Sequence, residues 1–416
     1  MNDIAIMWDW IGFAVRWVHV ITAMAWIGAS FYFIALDLGL KKVPHLPVGA
    51  SGEEWQVHGG GFYHIQKYLV APENMPEHLI WHKWQSYSTW LSGAALLMIV
   101  YWAGAELYLI DPEKAALGTF QAILISAGSL TVGWIIYDAL CKSRLGAQPT
   151  MLMVLLFVLL VVMAWGYDQI FTGRSALLHL GAFTATIMTA NVFFIIMPNQ
   201  RIVVADLKAG RTPDGKYGKI AKLRSTHNNY LTLPVIFLML SNHYPLAFAS
   251  EYNWIIAALV FLMGVTIRHY FNTMHSTGRG PHWTWLATAL LFVAIMWLST
   301  APLRLGDPEA QVMSSVDHVF ADAAGFEEVS NIVPGRCSMC HNREPYYEGI
   351  RHAPKAIVLE TPEDIARAAR QIYLQAGVTH AMPPANVSGM LDEERRAIIT
   401  WYRDATKDKP FYLSWR

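Results

Sequence analysis

Charge is what this sequence has least of. Asp, Glu, Lys and Arg make up 15% of its 416 residues, well under the quarter or so usual in soluble globular chains. With 54% hydrophobic residues beside it, that deficit excludes a disordered polar chain. Cysteine is nearly missing: three residues cannot build a disulfide scaffold. No internal repeat or low-complexity tract is found, and the formal net charge is zero, so composition suggests no nucleic-acid partner. A cleaved leader is not expected either, because no basic segment precedes the first apolar run and no A-x-A-like site closely follows it.

What is abundant is clustered. Apolar stretches near 9–38, 82–104, 117–140, 149–166, 175–198, 228–246, 252–272 and 283–301 are each about 18 residues or longer, enough to cross a hydrocarbon core of about 30 Å as a helix. Most carry Gly, Ser, Thr, Asn or His, as helices packed on one another or around a cofactor do. The 17 Trp, 18 Tyr and 18 Phe suit contact with membrane lipid at its interfaces. Thirteen Lys and Arg fall in the loops after the odd-numbered stretches, against two in the N-terminal tail and the other loops. The positive-inside bias therefore predicts that both termini lie outside, which in a bacterium means the periplasm. After Pro302 the pattern changes: residues 305–416 hold 12 basic and 16 acidic residues and no run of membrane length. A separate soluble domain is expected there.

That domain carries Cys337-Ser-Met-Cys340-His341, a C-x-x-C-H sequence. The spacing lets two thiols add to the two vinyl groups on one porphyrin edge while the adjacent histidine reaches the iron, so it reads as attachment of one haem c. A zinc half-site lacks a second C-x-x-C to complete it. The sixth ligand is expected about forty residues later, as in small His/Met cytochromes. Met382, followed by Pro383 and Pro384, fills that place, with His380 and Met390 as rivals. A haem-bearing domain tethered to the spans implies redox work in the spans, where ionisable residues are functional candidates by default. His19, with Arg16 one turn nearer the outside, suits a haem b with the arginine on a propionate, and His179 is the candidate second ligand at similar depth. A second polar cluster faces the opposite side: His227-Asn228-Asn229-Tyr230, Arg268-His269 with Asn272, and the loop 55–68 containing His64 and Lys67. A guanidinium, amides, aromatic faces and proton-moving His or Lys together suit an anionic, planar, hydrogen-bonding substrate.

The runs Arg16-Trp-Val-His19 through Trp26-Ile-Gly28, His58-Gly-Gly-Gly-Phe-Tyr-His64 through Tyr68, Thr89-Trp-Leu-Ser-Gly93 and His227-Asn-Asn-Tyr-Leu-Thr-Leu-Pro234 resemble the bacterial membrane-bound urate oxidase (urate hydroxylase) family. That resemblance implies an all-α architecture: an eight-span domain over 1–304 in the inner membrane and a periplasmic cytochrome c domain over 305–416. It also implies oxidation of urate to 5-hydroxyisourate, with electrons leaving through haem to a periplasmic cytochrome c or a terminal oxidase and no peroxide formed. A quinone-linked membrane electron-transfer module would share the same haem and span pattern.

Overall fold

The computed structural model describes residues 2–68, 72, 76–112, 114–300, 317–348, 350, 353–354 and 357–407. It divides into two units, Asp9–Asn242 with Leu246–Pro302, and Leu303–Arg416 with Met1–Trp8 and His243–Pro245. The expected boundary at 304/305 lies outside the described residues.

Each apolar stretch of the first unit lies on helix. They are α1 (Asn2–Gly39), α2 (Trp84–Leu96, running on through a wide π turn Leu97–Trp102), α3 (Thr119–Lys142), α4 (Pro149–Ile170), α5 (Gly173–Ala190, continuing through a second π turn Asn191–Ile196), α6 (Met197–Lys208), α7 (Gly215–Ser241), α8 (Asn253–Thr277) and α9 (Trp283–Ser299). Among the described residues, five helical segments are long and apolar enough to cross a membrane: Met7–Gly39, Thr119–Lys142, Pro149–Ile170, Gly173–Lys208 and Asn253–Thr277. Trp283–Ser299 is apolar but shorter. The core is built from the inward faces of α3, α4, α7 and α8 around α5, which is buried nearly all round, with Leu156, Leu160, Tyr167, Leu180, Phe183 and Ile187 buried together. The opposite faces carry exposed Val, Ile, Trp and Phe, the reverse of a water-facing helix. Gly264 sets one crossing: a Cβ there would stand 2.5 Å from Pro234 Cδ, so only glycine lets α8 approach the proline turn of α7.

The fold is mostly helical rather than all-α. Ala50–His58 (β1) and Gly61–Tyr68 (β2) pair as an antiparallel hairpin where a loop was expected. Its two-residue turn is Gly59-Gly60, both at positive φ (59° and 80°). Glycine alone takes such a turn freely, and its twist matches that of the strands.

In the second unit, α10 (Phe326–His341) ends on the C-x-x-C-H sequence. It packs with α11 (Pro362–Arg367) and α12 (Asp392–Thr406) around Val329, Val333, Ile365, Ile398 and Trp401. Three acidic residues open α12, where the helix dipole favours negative charge.

Candidate functional site

The wide turn at Asn191, the C-terminal end of α3 and the first half of α7 build a dry polar cluster. Arg224 is 2% exposed. Its Nη2 donates to Asp138 Oδ1 at 2.6 Å, its Nη1 to Asn191 Oδ1 at 3.0 Å, and its plane covers the Tyr137 ring at 4.9 Å. Asn191 Nδ2 in turn donates to the Tyr137 hydroxyl oxygen (3.1 Å) and to Asn228 Oδ1 (3.0 Å). His227 Nδ1 shares a 2.7 Å hydrogen bond with that hydroxyl. Every strong group in the cluster is paired except one: His227 Nε2 is buried with no partner among the described residues. A buried polar atom without a partner is costly enough to ask for a ligand or water.

A second cation stands beside it on α8. Arg268 is 7% exposed, lies over Phe31 of α1 at 4.3 Å, and donates from Nε to Asn229 Oδ1 (3.3 Å) and from Nη2 to Asn272 Oδ1 (3.0 Å). Among the described residues it has no carboxylate partner, and Asn229 Nδ2 is also unpartnered. A guanidinium buried among neutral amides is uncompensated charge, which an anion would neutralise. Arg224, similarly buried, is by contrast paired with Asp138.

A cavity of about 420 Å³ adjoins this region, lined by Trp26, Phe33, Lys67, Gln200, Asn228 and Thr232 among others. Of the predicted substrate residues, Asn228 and Lys67 line it; Lys67 is held by Asp37 at 2.5 Å. His64 is not brought in: it donates to Glu53 at 2.7 Å and stacks on Trp55, ring centroids 4.2 Å apart. His269 is exposed, 6.3 Å from the Trp283 ring, because neighbours on a helix point about 100° apart. Tyr137, Asp138, Asn191 and Arg224 were not foreseen. Arg224 had counted as a loop charge, and the available signal was an Asn in the apolar run of α5.

The predicted haem ligands divide. His341 Nδ1–H donates to Ile357 O at 2.8 Å, which leaves Nε2 with the lone pair iron requires. Cys337 and Cys340, both free, stand one turn apart on α10. Burial pushes the Cys337 thiol up to about 11, with Cys340 adding and Arg395 opposing. Met382 packs on the same core, its carbonyl held by Arg395 Nη1 at 2.9 Å. Met390 is buried in the core and His380 is exposed, which favours Met382. These residues fit a haem c. In the first unit His19 Nδ1–H donates to Thr89 O at 3.0 Å, so Nε2 is again the nitrogen left without a hydrogen bond among the described residues, while Arg16 is exposed one turn away. His179 does not fit as its partner. Nε2 is bonded to Ser126 Oγ (2.8 Å) and Nδ1 to Ser175 Oγ (2.9 Å), because serines one helix away and one turn below satisfy both ring nitrogens in a fully buried site.

A family model described as urate oxidase N-terminal matches residues 5–299, most of the chain. The chain belongs to the urate oxidase N-terminal family. Neither a curated protein nor a solved structure matches it. Membership makes this urate-oxidase-family protein an oxidoreductase candidate acting on urate, and the matched residues include both buried arginines and the cavity.

Proposed function

We propose that this protein is an integral-membrane urate oxidoreductase with eight spans, resident in the bacterial inner membrane with both termini periplasmic. Removing buried Arg224 from the loop charges leaves their asymmetry intact, which supports that orientation. Urate and water become 5-hydroxyisourate with release of two electrons and two protons. The electrons pass to the cytochrome c unit, then to a periplasmic cytochrome c or a terminal oxidase, and no peroxide forms. The observation that carries the reading is Arg268, a buried guanidinium with amide partners only.

Urate is an anion with a planar, hydrogen-bonding rim. Arg268 supplies the positive charge such a ligand needs on leaving water, and Asn229 Nδ2 supplies a directional donor. Phe31 backs the guanidinium and holds its plane. His227 takes a proton: with the Tyr137 oxygen accepting from both Asn191 and His227 Nδ1–H, the lone pair of Nε2 is free to act as base. Low water content strengthens each of these interactions. Cys337 and Cys340 would hold haem c covalently, with His341 and Met382 as axial ligands. That group supplies one-electron acceptance at a potential raised by the thioether. Haem b ligation is supported at His19 only.

The test is direct. Urate added to oxygen-free membranes reduces the c-type absorption band, in a ratio of two electrons per urate. A band that responds to quinol and never to urate overturns the reading.

A further inference from the structure

The β1–β2 hairpin folds back along α1 instead of standing away from it. Three contacts trace its course. Glu53 exchanges two backbone hydrogen bonds with Lys41, each 2.9 Å. Lys67 of β2 pairs with Asp37 at 2.5 Å. Farther along β1, Gln56 Oε1 accepts from the Tyr32 hydroxyl at 2.8 Å. From Gly39 back to Tyr32 the helix rises about 10 Å, and from Glu53 to Gln56 the strand advances about 10 Å, so the two run side by side in opposite directions. The turn at Gly59-Gly60 therefore lies about 7–10 Å beyond Tyr32, toward the apolar middle of α1.

Side chains at that end are bare and, apart from the exposed His58 beside the turn, apolar or aromatic. Val57 and Phe62 face each other across the strands on the side shared by Trp55 and His64, and they are 69% and 78% exposed. Tyr63 on the other side is 54% exposed. At the base the character reverses, with Lys41 and Lys42 exposed beside the Lys67–Asp37 pair. The neighbouring surface of α1 is itself bare: its most apolar stretch, within Met7–Gly39, has no buried residue.

We infer that the hairpin tip enters the interfacial layer of the lipid leaflet on the side of the α1 C-terminus. There Val57, Phe62 and Tyr63 lie among glycerol and upper acyl groups, while Lys41 and Lys42 meet anionic headgroups. Aromatic and apolar groups above a lysine belt match the layering of that zone. A two-stranded hairpin has open edges, which excludes the deep hydrocarbon and fits the wet interface. The anchor has a functional side, because β2 delivers Lys67 to the cavity wall. This inference rests on the membrane-spanning reading above.

The experiment uses full-length protein in membrane vesicles with Phe62→Cys at the tip or His45→Cys near the base. Labelling by a membrane-impermeant maleimide is read peptide by peptide by mass spectrometry, on the vesicle face that exposes residue 45. Lipid suppresses the reactive thiolate, so the tip should label at least about tenfold more slowly than the base. Detergent should abolish that protection for a reagent small enough to enter micelles. Equal labelling at the two positions overturns the inference. So does protection that disappears in nanodiscs holding single copies, which would make a second copy of the chain the cover. Release of the protein from vesicles by carbonate would sink the membrane reading itself, an outcome distinct from both.

Discussion

The two buried arginines make opposite predictions. Arg224 is paired with Asp138 and Asn191; Arg268, among the described residues, has two amide oxygens and the Phe31 ring as partners and no carboxylate. Replacing Arg224 by Met leaves Asp138 Oδ1 and Asn191 Oδ1 buried without their donor while Lys142 still holds Asp138 Oδ2, at a cost of about 2–4 kcal/mol of stability. Replacing Arg268 by Met removes an uncompensated charge. Asn272 Nδ2 still donates to Asn229 Oδ1 at 2.9 Å, and Asn272 Oδ1, which loses its donor, sits on a half-buried residue that water can reach, so folding stability should change by about 1 kcal/mol at most. Substrate binding should behave in reverse. A hydrogen bond to a charged group is worth about 1.5–3 kcal/mol, so Arg268→Met should raise the half-saturating urate concentration about 10- to 150-fold. Thermal unfolding of purified protein measures the first quantity, and the rate of haem c reduction against urate concentration measures the second. If Arg268→Met unfolds as readily as Arg224→Met while leaving urate saturation unchanged, the guanidinium is structural and the anion-site argument fails.

Other consequences follow from the same geometry. Cys337→Ala and Cys340→Ala should each leave a membrane-inserted chain with a single thioether at most, read by haem staining after denaturation; full staining in both would remove the haem c assignment. His179→Ala should retain every haem of the parent protein and lose about 2–4 kcal/mol, since two buried serine hydroxyls lose their partner, whereas His19→Ala should lose any b-type band. Reduced-minus-oxidised spectra separate the two, and loss of a b band in the His179 variant would restore that residue as a ligand. Glu394 is held below the ordinary carboxylate range: burial alone would raise it, but the paired hydrogen bonds from Arg336 and the Leu391 N–H prevail. A depressed native pKa means that this stabilisation is complete above about pH 4.5 and is lost as pH falls through the native value. Melting of the C-terminal unit, followed by haem c absorbance, should show about 1 kcal/mol less acid sensitivity in Glu394→Gln.

Some of this protein was legible in one dimension. Helices arise from apolar runs whose periodicity is local, so the stretches such as 149–166 and 252–272 lie where α4 and α8 do. C-x-x-C-H is likewise a local device, because one helical turn sets the spacing of its thiols. The chemistry of the buried residues was decided elsewhere. Asp138, Asn191 and Arg224 are 33 to 86 positions apart in their pairings, and only the crossing of α3, α5 and α7 turns a loop-like arginine into a structural one. The reverse holds at Arg268, where Gly264 draws α8 onto α7 and sets Asn229 beside the guanidinium, while Asn272 already stands one turn along α8. His179 and His19 are both histidines in apolar helices. What separates them is which nitrogens their neighbours occupy: beyond the local Ser175, the deciding partners Ser126 of His179 and Thr89 of His19 come from other helices, 53 and 70 positions away. The hairpin shows the same division. Its two glycines dictate the turn, while its course along α1 depends on Lys41, Asp37 and Tyr32 reaching across.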